Sequence, residues 1–170
     1  MGPADWIKDL EEGWKREYPG VDLSTLPPMV RLARLAMLFQ NFQVRTLEPF
    51  GLTPADYSVL AALRRVGPPY RASPSGLYNV LQRSSGGMTK MLKRLEKLEL
   101  VTRTPDPSDG RGSLVALTRT GLRVQEKAFR ALLAGTSELL GSVPGRRVEE
   151  IDRSLRLLLD TFEAELSGGS

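Results

Sequence analysis

The spacing of apolar residues changes period near Leu98, and that change limits the fold more than any other feature of the chain. Before it, Met88, Met91, Leu92, Leu95 and Leu98 recur at helical intervals, with Lys90, Lys93, Arg94 and Lys97 on the opposite side. After it, Leu100-Val101-Thr102-Arg103-Thr104 and Ser113-Leu114-Val115-Ala116-Leu117 alternate as strands do. Pro105 to Gly112 between them reads as a charged, turn-rich hairpin tip. Upstream, Arg83-Ser84-Ser85-Gly86-Gly87 is a tight turn in which Ser84 or Ser85 can cap the following helix. Ser73-Pro74 opens a shorter helix that carries Leu77, Val80 and Leu81 inward.

Short helix, tight turn, basic helix and hairpin, in that order, form a winged helix-turn-helix. The helix after the turn is apolar on one side and basic on the other, so it can pack on its domain while lying in a major groove. The expected fold is mainly α with a small β-wing. The flanking segments supply further helices. Trp6, Ile7, Leu10, Trp14 and Tyr18 suit an amphipathic helix over 3–18, stopped by Pro19-Gly20. Pro27-Pro28 begins a second, whose apolar residues from Met29 to Leu47 cover too much of its surface for a one-sided element. Such a helix lies at a domain centre or in an oligomer. Thr53-Pro54-Ala55-Asp56 reads as an N-cap, a first-turn proline and a first-turn acid, opening a helix to about Val66. Thr118 caps a long helix to about Leu140, and Val148, Ile151, Leu155, Leu158, Phe162 and Leu166 mark the last one. The expected organisation is therefore N-terminal dimerisation helices over 1–48 and a winged helix-turn-helix domain over 52–121. C-terminal dimerisation helices over 122–166 and a frayed tail over 167–170 complete it.

Charge and composition sharpen the functional expectation. The 170 residues carry 24 bases against 20 acids, a net +4. From Arg83 to Arg123 there are nine bases and four acids, so this stretch alone is +5 and the remainder sums to −1. A concentrated positive patch on a helix-turn-helix points to double-stranded DNA. Ser85, Thr89, Lys90, Lys93 and Arg94 are the expected contacts on the helix, with Thr89 and Lys90 nearest the base edges. Arg111, flanked by Gly110 and Gly112, suits the electronegative minor groove. With no cysteine and no histidine, thiol redox switches, thiolate or imidazole metal sites and a Ser–His–Asp triad are all excluded. Asp56, Glu96 and Asp109 form no pair at catalytic spacing, and Gly86-Gly87 lacks the lysine of a phosphate-binding loop. The expectation is a non-enzyme without cofactor or metal. No charge-free run approaches membrane-span length, so the expected location is the cytoplasm, on the nucleoid.

From Leu52 to Gly121 the sequence resembles the MarR family of bacterial transcription regulators. The resemblance rests on Leu52-Thr53-Pro54, the run Ser84 to Thr89, Arg94-Leu95-Glu96, Leu100 to Arg103, Asp106 to Arg111, Leu117-Thr118 and Gly121. It implies a wing in which Asp109 steadies Arg111, although Gly110 stands where the family usually has a first arginine. Trp14 to Asp22 is similar to the extra first helix of PecS- and HucR-type members, which bind urate or related anions. That branch's ligand set falls here on Trp14, Ser58, Met91 and Arg103. Ser58 replaces an aspartate and Met91 an arginine, which implies an aromatic or anionic effector other than urate, or none. The resemblance further implies a homodimer on a pseudo-palindromic operator, acting as a repressor that a small molecule releases. The alternative is a winged-helix protein-interaction module without a ligand switch.

Overall fold

The structure is a computed structural model that describes residues 5–81, 85–106 and 109–167. Ser84, Pro107, Ser108 and the tail 168–170 lie outside the described residues, as do the side chains of Ser85, Asp109, Arg111 and Ser167. The helices are α1 (Asp5–Glu17), α2 (Leu26–Leu47), α3 (Pro54–Val66), α4 (Pro74–Leu81), α5 (Ser85–Lys97), α6 (Arg119–Leu139) and α7 (Gly145–Ser167). A 3-10 turn, Glu48–Phe50, follows α2, and the strands are β1 (Arg71–Ala72), β2 (Val101–Asp106) and β3 (Asp109–Leu117). No helix of the described residues is long and apolar enough to cross a membrane.

Local chemistry fixes the helix starts. Thr53 Oγ1 accepts from the Asp56 amide at 3.1 Å while Asp56 Oδ2 accepts from the Thr53 amide at 3.0 Å, a reciprocal capping box. Ser73 Oγ accepts from the Gly76 amide at 3.0 Å and opens α4. Thr118 Oγ1 accepts from the Gly121 amide at 2.9 Å and donates to the Glu99 carbonyl at 2.7 Å. The cap at the start of α6 therefore also ties down the end of the α5 turn.

The chain divides into two compact units, Met1–Gln125 and Glu126–Ser170. The first holds the three-stranded antiparallel sheet, in the order β1-β3-β2. Its core gathers Leu47, Leu60, Leu63, Leu77, Leu92, Leu95 and Val115, each under 2% exposed. At roughly 1.5–3 kcal/mol for each buried side chain of this size, these residues supply the largest favourable term. In the second unit α7 carries Ile151, Leu155, Leu157, Leu159 and Phe162 at 41–69% exposure.

Three features depart from expectation. The residues expected in the hairpin tip are largely strand: β2 continues through Asp106 and β3 begins at Asp109. Pro105 pairs with Ser113 because β2 is an edge strand, where a missing N–H can face outward, and the register shifts between Pro105 and Asp106. Strand β1, which no periodicity announces, pairs Arg71 with Ala116 and Ala72 with Val115. Finally, α2 buries only Leu47, and Leu35, Leu38 and Phe39 are about half exposed. A place at the centre of its own domain, one of the two expected, is not what the chain gives this helix.

Two outcomes follow from this packing. A methyl group at Gly121 would overlap the Leu100 carbonyl, which is backbone and cannot swing aside. Gly121→Ala should cost about 1–3 kcal/mol in urea denaturation. Burial pushes the Tyr57 phenol above its ordinary 10.0, against weaker opposite effects of Arg65 and of a hydrogen bond with Gln125. The folded state thus holds this proton more tightly, so its stabilisation is full below pH 10.0 and disappears as pH rises through the folded-state value. Tyr57→Phe should show a shallower alkaline fall in Tm than the native chain.

Candidate nucleic-acid interface

Helix α5 is two-sided in the way its sequence requires. Met88, Leu92 and Leu95, spaced four and three apart, are 0–2% exposed. Thr89, Lys90, Lys93 and Lys97 are exposed on the remaining surface, and Met91 is half-buried. Elsewhere bases are held by acids one turn away: Lys15 by Glu11 at 2.6 Å, Arg130 by Glu126 at 2.9 Å, Arg156 by Asp152 at 2.8 Å. Among the described residues no carboxylate lies within ion-pair distance of Lys90, Lys93 or Lys97. Their charge is left uncompensated on one face of one helix, where a polyanion gains most from it.

The remaining cation of this helix behaves differently. Arg94, expected alongside the lysines, turns back onto its own domain. Its Nε donates to Asp56 Oδ2 at 3.0 Å and its Nη2 to the Gly51 carbonyl at 3.1 Å. Asp56 is 1% exposed, so a buried carboxylate is met by a guanidinium. A second ion pair joins α5 to the wing, with Arg103 Nε donating to Glu96 Oε1 at 3.0 Å. Strand β3 carries Asp109 and Arg111, and Ser85 is the first residue of α5; their side chains lie outside the described residues.

Of the four ligand candidates, Arg103 lines a described cavity. Arg103 lines a cavity of about 270 Å³ with Pro74, Ser75, Tyr78, Met88, Thr89 and Leu92, and none of Trp14, Ser58 or Met91 lines it. Trp14 is 45% exposed and stacks near Tyr18, with ring centroids 5.6 Å apart. Ser58 Oγ donates to the Pro54 carbonyl at 2.9 Å within its own helix. Sequence reasoning missed Tyr78 as a lining residue, since an aromatic on a short helix carries no mark of which side it faces. It also missed the Asp56–Arg94 bridge, whose partners are 38 residues apart.

Comparison with known proteins agrees with this geometry. The MarR family profile matches residues 50–112, the span from the 3-10 turn before α3 into strand β3. The chain is 27% identical over 160 residues to the HTH-type transcriptional regulator PecS of Dickeya dadantii, covering 94% of each chain. It is 30% identical over 134 residues to the transcriptional activatory protein BadR of Rhodopseudomonas palustris, covering 78% of this chain and 75% of the relative. Among solved structures, a cysteine-to-serine mutant of MarR from E. coli complexed with operator DNA superposes with a TM-score of 0.68 at 27% identity. That match covers 82% of this chain and 99% of the other. With a basic, two-sided helix on a helix-turn-helix, a β-wing, and these relatives along most of its length, the chain belongs to the MarR family of transcriptional regulators.

Proposed function

We propose that the protein is a homodimeric regulator that reads a pseudo-palindromic double-stranded DNA operator, represses by occupying it, and is released by a small molecule. The observation that carries this reading is the uncompensated Lys90, Lys93 and Lys97 face of α5, opposite its buried Met88, Leu92 and Leu95. Thr89 and Lys90, in the first half of α5, are suited to base edges, and Lys93 to phosphates. Ser85 at the helix start adds a donor to the backbone, and Arg111, steadied by Asp109, reaches the minor groove. The similarity to a MarR protein complexed with operator DNA supports the same assignment.

Segments 1–48 and 122–166 serve as dimerisation helices in this reading. The exposed Leu35, Leu38 and Phe39 of α2 and the exposed Leu155, Leu159 and Phe162 of α7 support it, because apolar surface of that extent is costly in water. A two-fold axis then sets two recognition helices about 10 base pairs apart. The protein works where the DNA is, in the cytoplasm and on the nucleoid. Catalysis has no support: Asp56 and Glu96 each hold an arginine.

The cavity beside Arg103 is the effector site in this reading. It offers a cation, the Tyr78 ring and an apolar floor to an aromatic or anionic molecule. A molecule seated there touches Met88, Thr89 and Leu92, so it acts directly on the recognition helix. It can release DNA only by binding the DNA-incompetent dimer more tightly than the competent one.

Salt titration tests the DNA reading. Lys90→Ala and Lys93→Ala should each weaken binding, and Lys93→Ala should reduce the slope of log affinity against log salt by about 0.9. Native affinity in both variants would remove α5 from the interface, and a salt-independent protein partner in place of DNA would favour an interaction module. The effector reading is tested by thermal shift with urate, salicylate-like phenolics and acyl-CoA thioesters. A binder should raise Tm in the native protein and not in Arg103→Ala, with about 2.7 kcal/mol gained at a hundredfold excess over Kd.

A further inference from the structure

We infer that Arg94 is a positioning residue, which aims the recognition helix by locking it to the corner between α2 and α3 and does not itself hold DNA. The inference rests on the DNA-reading function proposed above and adds a division of labour among the cations of α5. Three observations carry it. First, Arg94, although half exposed, commits two donors to its own domain: Nε to Asp56 Oδ2 at 3.0 Å and Nη2 to the Gly51 carbonyl at 3.1 Å. Second, among the described residues Arg94 is the cation that Asp56 pairs with. Asp56 is 1% exposed, and its Oδ2 also accepts from the amide and the hydroxyl of Thr53, at 3.0 and 2.8 Å. The carboxylate that starts α3 is thus the same one that receives the arginine of α5. Third, Gly51 closes the corner after α2. Its amide donates to the Glu48 carbonyl and the Leu52 amide to the Leu47 carbonyl, so the end of α2 is rigidly continued to the atom that Arg94 grips.

The consequence for DNA reading is geometric. Lys90 stands one turn before Arg94 on the same side of the helix, about 6 Å along its axis. The hydrophobic contacts of Met88, Leu92 and Leu95 fix which side of α5 faces the core, but apolar packing is non-directional and tolerates a small roll about the axis. A two-pronged guanidinium bridge does not. Removing it leaves Lys90 and Lys93 charged and beside the phosphates, and lets Thr89 and Lys90 drift from the base edges they must meet. Lysine at this position keeps the charge and loses the fork.

The test uses the full-length protein and a duplex enriched by it from a randomised pool, with fluorescence anisotropy read across a potassium chloride series. Arg94→Lys, Arg94→Gln and Asp56→Asn should each lower affinity about tenfold. Each should keep the native salt slope, unlike Lys93→Ala, which should reduce it by about 0.9. The double variant Asp56→Asn/Arg94→Gln should be no weaker than the weaker single one, because both remove the same bridge. Circular dichroism confirms that each variant is folded at the assay temperature, and if the glutamine variant is not, Arg94→Lys carries the comparison. A reduced salt slope in Arg94→Gln would make Arg94 a phosphate contact and overturn the inference. Native affinity in folded Arg94→Lys would make the bridge a brace for stability alone and overturn it equally. If the native protein enriches no duplex, the DNA-reading function itself fails; the two preceding results overturn only the role of Arg94.

Discussion

Asp56 has almost no contact with water, and a carboxylate in that position is stable only when its charge is answered by donors at close range. All three donors that answer it converge on Oδ2, while Oδ1 is buried without a hydrogen-bond partner among the described residues. The Thr53 amide and hydroxyl come from the start of α3, and the Arg94 guanidinium from α5. One oxygen thus joins the first turn of one helix to the third turn of another. The surrounding leucines supply most of the free energy of folding, but they do not specify direction. The ion pair does, which fits the best-attested use of buried charge: it selects one arrangement among several that would bury the same apolar area.

Features governed by neighbours in sequence were legible. Thr53, Ser73 and Thr118 have the sequence marks of helix starts, and each makes the expected side-chain bond to a backbone amide. The two-sided character of α5 follows from spacing alone: of its expected inward residues Met88, Leu92 and Leu95 are buried, Met91 is half-buried and Leu98 is 40% exposed. Features governed by distant pairing were not legible. Strand β1 is two residues long and exists because β3 passes beside it, so nothing within Arg71-Ala72 announces it. Glu99 ends α5 with φ of 55°, a left-handed conformation that a glycine would have advertised and a glutamate conceals. Arg94 looked like its lysine neighbours because net charge does not record where a side chain turns.

The candidate ligand set shows the same division. Arg103 holds the position that the resemblance implies for a ligand arginine, and it lines a cavity against α5. Ser58 has its hydroxyl engaged within its own helix, and Trp14 packs on Tyr18. Position in a motif conveys the fold around a residue more faithfully than it conveys chemistry, since the fold depends on many residues and a binding site on a few. Ser58 and Met91, which stand where the resemblance implies charged residues, do not line that cavity, and the helices that carry them are formed all the same.

The backbone of Leu100 is where three elements meet. Its amide donates to the Leu95 carbonyl and closes α5, and its carbonyl accepts from the Thr118 amide and crowds Gly121 at the start of α6. The next residue, Val101, begins the wing. Such a junction has no slack in chain length. Adding or deleting one residue between Lys97 and Val101 would shift the helix end, put the wing strand out of register by one place, which turns its faces over, and break the cap of the following helix. The loop from Gly141 to Gly145 makes no comparable demand. Variation in length among proteins built on this plan should therefore collect away from that junction, leaving the distance from recognition helix to wing constant while the rest of the chain drifts.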